Sequence, residues 1–150
     1  MAAGQGDQVV SRSVVIKAPA ERVFEVLANP YEHANFDGSG SVRGQLHGPT
    51  RLTLGDKFGM RMRILLPYRI ENEVVEFEQD RLIAWQHTGR HRWRYRLEPV
   101  EDGTKVTESF DWGTSRSPKA LELLGYPKRN ARSIEQTLAR LKALIEQRVA

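Results

Sequence analysis

The chain of 150 residues predicts an α+β fold: a seven-stranded curved antiparallel sheet wrapped around a long C-terminal helix, with two short helices after the first strand. Three observations carry this. Ala131, Ile134, Leu138, Leu141 and Ile145 recur every three or four residues between Pro127 and Val149, which puts them on one stripe of a helix. From Ser41 to Gly113 the chain runs in short alternating segments separated by Gly, Pro and Asp turn signals, the mark of an antiparallel meander. Within that meander arginines take one face and aromatic or sulfur-bearing residues the other, as in a sheet with one wet and one dry side.

In chain order, Gln8 to Lys17 is rich in Val, Ile and Ser and reads as the first strand. Pro19 and Glu21 open a helix, since the first turn needs no donor at Pro and favours a negative charge. Its buried face is Val23, Phe24, Val26 and Leu27; Asn29-Pro30 breaks it, and Tyr31 to Asn35 forms a second short helix. A loop, Phe36 to Gly40, leads to a weakly patterned strand from Ser41 to His47. Lys57 to Leu66 alternates, with Phe58, Met60, Met62, Ile64 and Leu66 on one face and Arg61 and Arg63 on the other. After Pro67, Tyr68 to Glu78 is the fourth strand, its phase broken near Val74-Val75 as by a bulge. Arg81 to Thr88, His91 to Val100 and Thr104 to Gly113 complete the meander, the last two joined by a Glu101-Asp102-Gly103 turn. Ser117-Pro118 opens a helical segment, Gly125-Tyr126-Pro127 interrupts it, and the long helix follows.

The length suits one domain over residues 1–150, with residues 1–7 read as a frayed, polar leader lacking the apolar core of a signal peptide. No cysteine is present, which removes disulfides and thiolate metal sites and suits a cytoplasmic location. No apolar run is long enough to span a bilayer. The net charge is +4, and from Arg116 onward eight Lys and Arg face three Glu. That basic helical tail could contact a partner, nucleic acid or anionic lipid, or be a solvated face.

Several segments resemble the START-related superfamily (SRPBCC), in its polyketide cyclase/dehydrase-like branch. They are Ile16 to Phe24, Leu27-Ala28-Asn29-Pro30, Val74 to Glu78, Trp93 to Pro99, Gly103 to Glu108 and the amphipathic C-terminal helix. The resemblance covers nearly the whole chain. It implies the helix-grip fold and a deep cavity between helix and sheet. The superfamily includes lipid carriers, hormone receptors and ring-closing enzymes, so function must be argued from the site.

On strand phase, the inward set is Met60, Met62, Ile83, Trp85, His87, Trp93, Tyr95, Leu97, Val106, Glu108, Phe110 and Trp112. Of these, Met60, Met62, Trp85, His87, Trp93, Tyr95, Glu108, Phe110 and Trp112, together with Leu138 of the helix, are the expected ligand-binding residues. Aromatic and Met-rich walls with few polar groups suit a hydrophobic guest. Glu108 lies between apolar Val106 and Phe110, so alternation puts a carboxylate on the dry face. A raised pKa there would suit a general acid or base; ligand hydrogen bonding and a structural ion pair are the alternatives. His87 is the other catalytic candidate. His87 and His91 straddle a hairpin without cysteine or acidic neighbours, so no metal site is expected, and no cofactor. His33 reads as a surface or rim histidine, and Asp111, in phase with Thr107 and Ser109, as outside. The signatures of nucleophile elbows, P-loops and dinucleotide folds are absent. Arg61, Arg63, Arg92, Arg94 and Arg96 could form a basic stripe, but Glu71, Glu73 and Glu98 are placed to pair with them and the aromatics face away, so nucleic-acid binding is not expected.

The resulting expectation is a domain that binds a hydrophobic or aromatic small molecule, lipid or polyketide-like, with Glu108, His87 and Tyr95 orienting its polar groups. The alternatives are a cyclase/dehydratase-type enzyme using Glu108 or His87 for proton transfer, and a non-catalytic interaction protein using the basic helix. Oligomeric state is not encoded in these patterns.

Overall fold

The computed structural model describes residues 8–63, 65–87 and 89–150; the leader assignment, inward Ile64 and the strand end at Thr88 lie outside them. The strands are β1 (Val9–Ile16), β2 (Val42–His47), β3 (Lys57–Arg63), β4 (Pro67–Glu78), β5 (Leu82–Gln86), β6 (Arg92–Val100) and β7 (Gly103–Asp111). The helices are α1 (Ala20–Leu27), α2 (His33–Phe36, after a 3₁₀ turn at Pro30–Glu32), α3 (Pro118–Leu123) and α4 (Tyr126–Val149). All seven strands form one antiparallel sheet in the order β1-β7-β6-β5-β4-β3-β2. The meander places β2 to β7 side by side, and β1 closes on β7. The fold is the predicted helix-grip arrangement.

Local chemistry explains the punctuation. Asn29 caps the 3₁₀ turn, its side chain accepting from the Tyr31 N–H at 3.0 Å. The expected bulge in β4 is a register shift between Val74 and Glu76; two more shifts lie in β2, and such insertions bend the sheet. Gly125 separates α3 from α4 at φ 78, a left-handed conformation that glycine adopts without strain.

The core is continuous. Ile16, Phe24, Leu27, Leu97 and Val106 pack with Ile134, Leu138, Leu141 and Ile145 of α4. The helix stripe is as predicted except at Ala131, which is half-buried, and it is widened by buried Asn130 and Thr137. What matters for the site is where α4 lies. It packs on β1 and β7 and touches α1, α2 and α3, while α1 packs on β6 and His33 of α2 stacks on Trp85 of β5.

Three expectations need correction. β3 ends at Arg63, which pairs with Pro67, so Leu65 and Leu66 sit in the turn, 87% and 77% exposed, and Leu66 is not inward. Among the described residues no ion pair joins the outer arginines to Glu71, Glu73 or Glu98. Arg92 and Arg94 instead converge on Glu76 at 2.6 Å each, and Arg94 also reaches Asp111 at 3.3 Å. Two guanidiniums hold the Glu76 carboxyl down to about 2, chiefly through the Arg94 hydrogen bonds. Asp111 is on the outer face as expected, but buried beneath Arg94 rather than free in solvent. Much of the basic tail is also committed: Arg148 pairs with Glu32, Lys142 with Glu146, and Arg140 donates to the Asp37 and Asn35 carbonyls. No helix among the described residues is long and apolar enough to cross a membrane.

Candidate ligand-binding site

Because α4 covers only one end of the sheet, a cavity of about 550 Å³ remains between it and the strands. That size lies within the range of small-molecule sites. Its floor is Phe58 and Met60 of β3, Trp85 of β5 and Tyr95 of β6, all buried. Its roof is Asn130, Ser133 and Thr137 of α4, with Leu121 of α3. Phe36 and His33 of α2 close the inner end. The mouth is marked by the lining residues that are exposed: Ser39 and Gly40, Arg43, Arg63, Tyr68 and Arg129. A shallower depression of about 270 Å³, lined by Lys57, Glu71, Glu73, Arg90 and Arg116, shares Asn72 and His87 with it but has no comparable aromatic wall.

Glu108 is the polar focus. Alternation along β7 aims it inward, and it is 3% exposed. The Tyr95 hydroxyl donates to Glu108 Oε2 at 2.9 Å, while Oε1 is buried without a partner. Burial pushes the Glu108 carboxyl well above its usual range; the nearby Asp37 charge acts in the same direction and the Tyr95 bond opposes both. Burial and the Glu108 charge likewise raise the Tyr95 phenol. Both shifts favour the protonated, neutral form of each group. Glu108 then carries an acidic proton, and the unpartnered Oε1 can exchange a hydrogen bond with a guest's oxygen.

The histidines form two groups. His33, which sequence reads as a surface or rim residue, is instead 5% exposed. Its Nε2 donates to the Leu27 carbonyl at 2.9 Å, and its ring stacks on Trp85 at 4.7 Å. Burial brings it down to about 4, so it is a neutral wall residue. An NMR titration should show the His33 ring protonating near pH 4 rather than near 6.5; a midpoint near 6.5 would mean the ring is solvated. The sign for stability follows: protons bound only by the unfolded chain make this site destabilising as pH falls from 6.5 towards 4. His87 and His91 meet edge to face at 4.6 Å, and both line the cavity. Burial lowers both, His91 to about 4 with a further contribution from His87. Among the described residues no three His, Cys, Asp or Glu side chains converge as metal ligands.

Of the residues expected from sequence, Met60, Met62, Trp85, His87, Trp93, Tyr95 and Glu108 line this cavity together. Phe110, Trp112 and Leu138 do not. Phe110 is fully buried between Trp93 and Trp112, at 4.9 and 5.8 Å between ring centres. Trp112 donates its indole N–H to Glu122 at 2.7 Å, and Leu138 packs within the core. Strand and helix phase identify the inner face, but not which part of it another element covers. Sequence reasoning missed Phe36, Asn72 and Asn130. A signal for Phe36 existed, since His33 and Phe36 are three apart and share a helix face. Nothing local marks Asn72.

A curved antiparallel sheet gripping a long helix, with a cavity left between them, defines the START-related helix-grip class. Residues 7–146 match the family described as polyketide cyclase/dehydrase and lipid transport, and the chain belongs to that family. The protein Rv0088 of Mycobacterium tuberculosis H37Rv, named as uncharacterized, is 41% identical over 138 residues, covering 88% of this chain and 62% of that protein. MT0096 of the CDC 1551 strain matches with the same figures, so the chain spans about three fifths of the length of these relatives. Among solved structures, protein NE0264 from Nitrosomonas europaea superimposes with a TM-score of 0.74 at 13% identity, covering 95% of this chain and 97% of that one. The Polyketide_cyc-like protein Cgl2372 from Corynebacterium glutamicum gives 0.63 at 21% identity, covering 95% and 93%. At these identities the two structures show the fold.

Proposed function

We propose that the protein binds a hydrophobic or aromatic small molecule, lipid or polyketide-like, in the cavity between the sheet and α4. The observation that carries this is the cavity itself: about 550 Å³ walled by Phe58, Met60, Trp85, Trp93 and Tyr95, with the hydrogen-bonded Tyr95–Glu108 pair at its inner wall. Desolvation of the guest supplies the affinity and Glu108 the orientation. A neutral carboxylic acid with an unpartnered oxygen prefers a guest that presents a carbonyl or hydroxyl at that depth.

Native mass spectrometry of protein purified from its own host, followed by extraction, should reveal an apolar guest. With the purified protein, N-phenyl-1-naphthylamine should bind in a one-to-one complex. Ile70→Trp, which fills the cavity from a half-buried wall position, should weaken that binding roughly tenfold, about 1.4 kcal/mol, with an unchanged unfolding midpoint. No guest and no probe binding would overturn the reading.

The unpartnered oxygen and raised pKa of Glu108 also favour a second reading, a cyclase/dehydratase-type enzyme. There Glu108 gives a proton to a carbonyl or hydroxyl, and neutral His87 accepts one. Glu108→Gln should then abolish turnover while retaining binding; undiminished turnover would remove Glu108 from the chemistry.

A further inference from the structure

Four leucines stand nearly bare at one end of the molecule. Leu65 and Leu66 are 87% and 77% exposed in the β3–β4 turn, and Leu123 and Leu124 are 88% and 71% exposed at the α3–α4 corner. Sequence separates these turns widely, yet both border the cavity mouth. Leu66 stands two residues before Tyr68 and Leu124 two before Tyr126, and both tyrosines line the cavity. Tyr68 lies within electrostatic reach of Tyr126 and Arg129, which brings the two turns together across the mouth. Single exposed leucines are ordinary; two adjacent pairs at one opening are a surface built for contact.

The charges around them have one dominant sign. Arg43, Arg63 and Arg129 line the mouth, and Arg69, Lys119 and Lys128 stand close in sequence to the two leucine turns. None of these six has an acidic partner among the described residues. Arg129 lies over the Tyr126 ring at 4.2 Å. The acids nearby are engaged: Glu122 accepts from Trp112, and the Asp37 carboxylate accepts from Ser39 Oγ and the Gly40 N–H.

We propose that this end of the molecule docks on an anionic bilayer, the leucines entering the acyl boundary and the arginines and lysines meeting lipid phosphates. Exposed apolar tips ringed by unpaired cations are complementary to such a surface. A second copy is a poorer occupant, because a two-fold contact through this patch would set its cations against one another. Docking rests on the ligand reading in one respect: it places the cavity mouth on the membrane, so an apolar guest could pass between bilayer and protein without crossing water.

The test is co-sedimentation with vesicles of phosphatidylglycerol mixed with phosphatidylcholine, against vesicles of phosphatidylcholine alone. Binding is expected to the mixed vesicles only, and to fall with added salt. Replacing Leu65, Leu66, Leu123 and Leu124 by Ser should reduce it at least tenfold, and Arg63→Gln with Arg129→Gln should reduce it roughly tenfold. The four leucines lie outside the cavity wall, so N-phenyl-1-naphthylamine binding should survive their replacement. Vesicle binding without dye binding would support docking and count against the ligand reading alone. Absent vesicle binding, or binding that the leucine variant does not change, would overturn the proposal. So would a leucine variant that converts a dimer to a monomer by light scattering without affecting sedimentation.

Discussion

Glu108→Gln is expected to unfold at a higher urea concentration than the parent chain at pH 8, and at nearly the same concentration at pH 4. Glu108 is 3% exposed, and its carboxyl is raised well above 4.5 in the folded state. Above pH 4.5 the unfolded chain releases this proton while the folded chain keeps it, so folding takes up a proton and stability falls as pH rises. The loss amounts to about 1.4 kcal/mol for each pH unit until the folded carboxyl itself ionises. Glutamine keeps the shape and an acceptor for the Tyr95 hydroxyl but has no proton to lose. The difference between the two chains therefore isolates Glu108 from groups with the opposite sign, such as His33. A gap that does not widen between pH 4 and pH 8 would mean that Glu108 is ionised in the folded protein, and the neutral-acid description of the site would fail.

The second large effect is expected at Gly38. A methyl group there would lie 2.5 Å from the Thr137 backbone nitrogen and 2.6 and 2.7 Å from Gln136 atoms of α4. Backbone cannot yield as a flexible side chain would, so Gly38→Ala lifts the 37–41 loop off the helix. That loop is held by the Gly38 N–H donating to Thr137 Oγ1 at 2.8 Å and by Arg140 donating to the Asp37 carbonyl at 2.7 Å. Overpacking of this kind costs about 1–3 kcal/mol, to be read from urea unfolding. The loop forms one lip of the cavity, and N-phenyl-1-naphthylamine affinity should fall by roughly tenfold, about 1.4 kcal/mol. Unchanged affinity and stability would show that loop and helix separate freely.

Legibility in the sequence followed periodicity. The strand alternation that put Trp93, Tyr95 and Glu108 on one face is a property of the extended backbone, and the three lie on that inner face in the structure. The apolar repeat of α4 and the turn residues between strands are equally local. His33 reads as a surface or rim residue because nothing beside it shows that Trp85, far along the chain, stacks on its ring. Glu76 was not foreseen as the partner of Arg92 and Arg94 because the shift between Val74 and Glu76 resets which residues stand opposite one another. Phe110, Trp112 and Leu138 share a face with the cavity residues yet are withheld from the cavity by their neighbours.

By itself, then, the sequence determined the elements, their order, the dry face of the sheet and the family, since each follows from short-range pattern. The tertiary structure alone decided where α4 rests. Placed over β1 and β7, it helps turn one part of the dry face into core and leaves a cavity beside it with Glu108 on its wall. It also brought two leucine turns from distant parts of the chain to the same opening. Both depend on contacts between residues far apart in sequence, and no local repeat encodes such contacts.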